Sequence, residues 1–325
     1  MRRRSFFALL AAPDPTIGDM QVLLNHWERT CRNQLLLAPR PLPWLVLYDQ
    51  HHAWHVNPQR SVLKAPVTAA GEVRWAGRRL GVRRVANTAA GVWLPDGETI
   101  PIELGAAAKP WPRGGRKDSA VFVQIPLPSL FRSKGAGSIS TQHWHSLALH
   151  EFTHTLHFLT VVRQWRALQA KFDLPRAADD DMIETAFKGN AEYVDIFNRE
   201  KKWLEKAVFA NDAAAARAAT RESLALARQR QRRFFQPGWT EAEALWLSLE
   251  GCALWVQVRF ELENAPAGQP WPQTAMGMAG FMGSWSHEHG AGLFWMIGNL
   301  VPGWRTRYFG GGPPPSPFDV LEQAL

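Results

Sequence analysis

Apolar residues recur at helical spacing near the start of the chain, at Ile17, Met20, Leu23, Leu24, Trp27 and Cys31. This predicts an amphipathic helix over residues 17–37, ended by the prolines between 39 and 43. The next run, WLVLYD from Trp44 to Asp49, is short and continuously apolar, as a buried strand would be. From there to about residue 127 glycine and proline punctuate short strand-like pieces: EVRW, GVRRV, GVWLPDGETIPIEL and AVFVQIPL. A turn is predicted at Asp96-Gly97. Beyond Ser138 the apolar period becomes helical. Helices are predicted over LALHEFTHTLHFLTVV, over about 180–208, over an Ala/Arg-rich stretch at about 212–235, in WTEAEALWLSLEGCALWVQVRF, and near Leu293 to Leu300. The tail GGGPPPSP reads as loop, and no internal repeat is present. Strands followed by helices indicate an α+β fold. Its division would be a β-rich region with one leading helix, 1–118, and a mostly helical region, 119–325.

One apolar helix carries misplaced polarity. HEFTH, His150 to His154, lies among Leu147, Leu149, Phe152, Leu156, Phe158 and Leu159. Residues four apart share a helix face, so His150 and His154 can offer two imidazoles to one metal ion, with Glu151 beside them. Two ligands plus a general base for a water molecule is the arrangement of zinc hydrolases. The bland alternative is a core helix whose histidines bond to backbone or water. A catalytic zinc takes a third protein ligand and keeps an open position. On this helix His157 is about two turns from His150, roughly 10 Å along the axis, too far to share the ion. The longer astacin-like motif needs Gly at 157 and His at 160, where this chain has His157 and Thr160.

Glu250 is the leading third ligand. Thr240 and Glu243 form a capping-box pattern that starts a helix, and Glu250 then falls mid-helix among Leu247, Leu249, Ala253 and Leu254. A carboxylate there needs a cation or a strong partner, either a metal ion or an arginine such as Arg259. Gly251 beside it permits close approach of a facing helix. Glu184 and Glu192, in MIETAFKGNAEYVDIF, rank behind it, as carboxylates supporting the ligands or lying on the surface.

HEFTH followed downstream by LEGCALWV resembles the gluzincins, the thermolysin- and aminopeptidase-like zinc peptidases, many of which read HExxH and then EGxA plus an aromatic. The resemblance covers these two helices and the strand before them, under half of the chain. It implies a zincin-like fold, Zn2+ held by His150, His154 and Glu250, Glu151 as the base, and a peptide or protein substrate. It also implies a strand just before the active helix whose free edge follows the cleft and takes the substrate backbone as an added strand. AVFVQIPLP, Ala120 to Pro128, stands in that place, and its prolines suit an edge. Such peptidases need a donor for the oxyanion of the tetrahedral intermediate. SWSHEHGAGLF offers His287 and His289, of which His289, beside a Gly290-Ala291-Gly292 turn, is preferred. A second metal candidate, Asp49 with His51, His52 and His55, reads better as a polar strand end and turn.

Composition narrows the alternatives. The net charge is +8, from 37 basic and 29 acidic residues, but the arginines are scattered. Their densest cluster, Arg228 to Arg233, reads as a solvated helix face. No zinc knuckle, RNP signature or helix-turn-helix pattern is present, so nucleic acid is not the expected partner, and an incidental HEFTH in a basic nucleic-acid-binding protein is a lesser reading. A non-catalytic protein with a structural or vestigial zinc site is the other rival. The 16 tryptophans, many beside Gly and Pro, suggest aromatic packing under loops. Cys31 and Cys252 do not make a disulfide framework. No apolar run reaches membrane-spanning length. The N-terminal MRRRSFFALLAAPDP resembles a twin-arginine export start, but its apolar stretch, Phe6 to Ala12, is short and no small-x-small cleavage site follows. A cytoplasmic protein is the expectation, with export the alternative.

Overall fold

Two short apolar runs, WLVLY and AVFVQIP, pair as inner strands of a six-stranded sheet in the computed structural model, which describes residues 15–57, 66–95, 97–111, 120–135, 139–175, 181–265 and 284–325. The strands are β1 (Trp44–Tyr48), β2 (His52–Val56), β3 (Val67–Trp75), β4 (Arg78–Ala86), β7 (Ala107–Trp111) and β8 (Ala120–Pro126), in the order β3-β4-β2-β1-β8-β7. β1 and β8 run parallel, with Trp44 opposite Phe122, and all other neighbours in this sheet are antiparallel. Two-residue strands β5 (Val92–Trp93) and β6 (Thr99–Ile100) pair separately. The expected turn at Asp96-Gly97 falls partly outside the described residues; Gly97 has φ 78°, and its amide donates to the Leu94 carbonyl.

Alternation along β1 and β8 separates two cores. Leu45, Leu47, Val123 and Ile125 join the main core with Met20, Leu24 and Trp27 of α1 (Pro15–Arg29) and with Trp144, Ala148 and Phe152 of the helix carrying HEFTH. Trp44, Val46, Tyr48 and Phe122 face the other way, against Val92, Leu94 and Leu130. Leu130 belongs to α2 (Pro128–Ser133). The molecule is therefore mixed helix and sheet with a mostly helical C-terminal part. The sheet takes strands from both sides of residue 118, because β8 lies between β1 and β7.

That order corrects one expectation. Ala120–Pro126 is not an edge, and the edge next to it is β7. The Ala-Lys-Pro composition of β7 has little strand propensity, so its pattern is silent, and pairing with β8 makes it a strand. Pro110 suits the edge position, where a missing amide breaks no ladder.

The site helix, α3 (Thr141–His154), starts at Ser140, whose hydroxyl accepts from the His143 amide. The predicted run is not continuous. α3 stops at His154, and α4 (Phe158–Lys171) begins after a turn. Thr153 and Thr155 donate their hydroxyls to the Leu149 and Phe152 carbonyls, competing with the helix ladder where it ends. The stretch from 180 to 208 is also divided, into α5 (Met182–Phe187) and α6 (Ala191–Val208), and Asn190 caps the second. α7 (Ala213–Phe234) is capped by Asp212.

α8 (Trp239–Glu263) begins where expected but without the capping box. Gly238 precedes it at φ 89°, and Glu243 turns inward to Arg230. α9 (Trp285–Leu300) extends well upstream of the expected Leu293, through SHEHGAG. Its glycines make no turn. A Cβ on Gly251 of α8 would lie 2.4 Å from the Gly290 Cα, and one on Gly290 would lie 2.6 Å from the Gly251 Cα. The two backbones touch there, as Gly251 suggested. α10 (Trp304–Phe309) and α11 (Pro317–Glu322) follow. The second adds an unforeseen helix after the Gly/Pro-rich tail, with Ser316 as cap and Pro317 at its first position.

Candidate metal centre

Helices α3 and α8 bring three side chains to one point. His150 Nε2 lies 3.4 Å and His154 Nε2 3.3 Å from Glu250 Oε2. The ligand atoms of all three residues fall within 4.8 Å of one another, and no other described residues form such a group. The His150 and His154 rings stand edge to face, with centroids 4.7 Å apart. Four ligands placed tetrahedrally at bonds of about 2.0–2.1 Å would be about 3.3–3.4 Å apart, so these two spacings fit a first-row divalent cation.

All three residues are buried, with exposures of 2%, 5% and 7% for His150, His154 and Glu250. Burial alone would raise the Glu250 carboxyl, but His154, His150 and His287 outweigh it and hold the group well below its ordinary value. The Arg259 alternative does not arise, because Arg259 approaches Glu263 at 3.4 Å. The fit to a cation thus rests on an ionised carboxylate in an apolar helix, with imidazole nitrogens around it and, among the described residues, no arginine paired to it.

Glu151 is buried beside this group without joining it. Burial raises its carboxyl to about 7, against lowering contributions from His154 and from a hydrogen bond with the Ala108 backbone. Ala108 belongs to β7, so the sheet edge touches the candidate base directly. A cleft of about 430 Å³ opens here. Ala106, Ala107 and Ala108 line it on the strand side, Leu104, Phe131, Leu147 and Phe158 supply apolar walls, and His150, Glu151, His154, Glu250 and His287 form the polar centre.

The remaining candidates lie elsewhere. His289 Nε2 is 2.9 Å from Glu200 Oε1, and the ring packs on Phe197 and Phe318, away from the cleft. His287, two residues earlier, occupies the cleft instead: its Nε2 is 3.0 Å from Glu250 Oε2. Sequence reasoning missed this role because SHEHGAG resembles a loop. The available signal was Gly290, three residues on and thus on the same helix face, matching the close approach expected at Gly251. Glu192 pairs with Arg233 at the surface. Glu184 accepts from the Trp285 amide at 3.2 Å and so holds the start of α9. His157 lies in the turn after α3 against Phe309, and burial lowers it to about 3. Asp49 Oδ1 accepts from the His51 and His52 amides, both at 2.7 Å, while His55 Nδ1 accepts from Trp44 Nε1 at 3.1 Å. These four residues form a turn and a strand, not a ligand set.

No helix among the described residues is long and apolar enough to cross a membrane. Compared with known proteins, the chain matches no family model, no curated protein and no solved structure.

Proposed function

We propose that this protein is a zinc-dependent hydrolase that cleaves peptide bonds, with a zincin-like arrangement of strand edge and paired helices. The observation that carries the reading is the buried His150, His154 and Glu250 set, with both imidazoles 3.3–3.4 Å from one carboxylate oxygen, beside Glu151 and open to a cleft. Zinc bound there would supply a Lewis acid for the scissile carbonyl and make water a stronger nucleophile near neutral pH. Glu151 takes the proton of the attacking water and delivers it to the leaving amide nitrogen. The Ala108 backbone orients that carboxylate. An extended substrate lies along β7, pairing with its outer edge as an added strand. The small side chains of Ala106 to Ala108 leave room for that backbone, and the apolar walls favour apolar side chains near the cleaved bond.

The test is zinc content of the purified protein, followed by hydrolysis of a broad peptide pool by wild type and Glu151→Gln at equal zinc occupancy. Removal of the base should lower the rate by about 100-fold or more while the metal stays. Equal rates would exclude the mechanism. Zinc binding without hydrolysis in either protein would point to a metal site that is not catalytic.

A further inference from the structure

α9 reaches the metal centre through one side chain, His287. Its Nε2 is 3.0 Å from Glu250 Oε2, the oxygen that also faces His150 and His154. An ionised carboxylate only accepts, so His287 Nε2 carries the hydrogen and donates it. In the neutral ring Nδ1 then accepts, and Ser284 Oγ, 2.8 Å away, is its donor. Ser286 Oγ lies 2.9 Å from Ser284 Oγ and continues the chain. The imidazole also stacks on His150, with centroids 5.6 Å apart and planes 15° from parallel. Hydrogen bonding and stacking together fix both the tilt and the reach of the ring. His287 does not share the mutual spacing that His150, His154 and Glu250 keep among themselves, so it stands outside the ligand set.

We propose that His287, held by Ser284, is a positioning residue that aims the Glu250 carboxylate at His150 and His154. The inference rests on the reading that those three residues hold a metal ion. His150 and His154 are set by one helix, whereas Glu250 arrives from another on a longer side chain, whose freedom must be lost before it can bind. A fixed N–H donor removes that freedom in advance, and partners of this kind are worth about 10- to 100-fold in metal affinity. The helix carrying the donor is itself anchored. Glu184 holds the Trp285 amide at its start, and Gly290 rests on Gly251, the neighbour of Glu250.

The experiment titrates zinc into metal-free wild type, His287→Ala, His287→Gln, His287→Asn and Ser284→Ala against a competing chelator. Circular dichroism and thermal unfolding of each metal-free protein check that it is folded. The Gln amide nitrogen reaches the place of Nε2, whereas the Asn amide reaches only that of Nδ1. His287→Ala and His287→Asn should weaken zinc binding by about 10- to 100-fold, His287→Gln should recover most of it, and Ser284→Ala should cost several-fold. A role in packing alone would not distinguish Gln from Asn in this way. Unchanged affinity in folded His287→Ala and His287→Asn would overturn the proposal. So would a loss as complete as that of His154→Ala with no recovery by Gln, which would make His287 a ligand. Failure of the wild type to bind zinc would overturn the metal reading itself, and this inference with it.

Discussion

His154 is the proposed ligand whose removal most directly tests the centre. It comes from the same helix as His150, so His154→Ala removes one donor and leaves the arrangement of the other two to their own helices. Zinc should be lost on dialysis, and full occupancy of the variant would refute the ligand set. Arg230 is a second informative position, because it explains why His289 is not in the cleft. Its guanidinium is fully buried and bonds Glu200 and Glu243, each at 2.7 Å, and the Tyr193 hydroxyl at 2.6 Å. Burial would raise the Glu200 carboxyl, but Arg230 and then His289 reverse this and hold it at about 2. His289 is therefore part of a buried charge network that joins α6, α7, α8 and α9. Arg230→Met would leave two carboxylates without their cation and should cost about 3–5 kcal/mol, read from the denaturant midpoint. A loss below about 1 kcal/mol would show that the network relaxes when its centre is removed.

The contact between α8 and α9 governs how Glu250 meets His287. Gly251 and Gly290 touch backbone to backbone, so a methyl group on either must push the helices apart. Gly251→Ala should destabilise the protein by about 1–3 kcal/mol through overpacking and should also weaken zinc binding, because the same shift moves His287 from Glu250. Gly290→Ala should act alike. The double variant should cost less than the sum of the two, since the first substitution already opens the gap that the second would need. Additive losses would mean that the glycines act through separate contacts. At the strand side, β7 meets the cleft through Ala108, so the sheet edge and the candidate base respond to the same displacement.

Acid should unfold the whole molecule through its buried histidines. His55 has no exposed surface, and burial lowers it to about 3. His145 is lowered to about 4, first by burial and then by His26. Both values lie below the ordinary 6.5, so the unfolded chain takes up protons that the folded protein refuses. The stability they confer is complete above about pH 6.5 and is lost as pH falls towards 4 and then 3, by an amount on the order of a few kcal/mol per group. His55→Asn keeps an acceptor for Trp44 and does not titrate. Its urea midpoint should fall less steeply between pH 6.5 and 4 than that of the wild type. Parallel curves would remove His55 from the account.

Local pattern was enough for much of this protein. The period of apolar residues marks α1, β1, β8 and the long helices, because each must turn one face or both to a core. The four-residue interval in HEFTH puts His150 and His154 on one side of a helix wherever that helix lies, and a carboxylate at Glu250 inside an apolar run requires a cation or a strong polar partner in any fold. Long-range pairing settled the rest. β7 is a strand because β8 lies beside it, although four of its five residues, Ala107 to Pro110, favour no strand. Gly290 reads as a turn until Gly251 is seen against it. Glu243 fits a capping box until Arg230, from another helix, takes its carboxylate. His287 and His289 differ by two residues in one helix, and their different faces send one to Glu250 and the other to Glu200. A helix face acquires chemical meaning only from what packs against it, and that information lies far away along the chain.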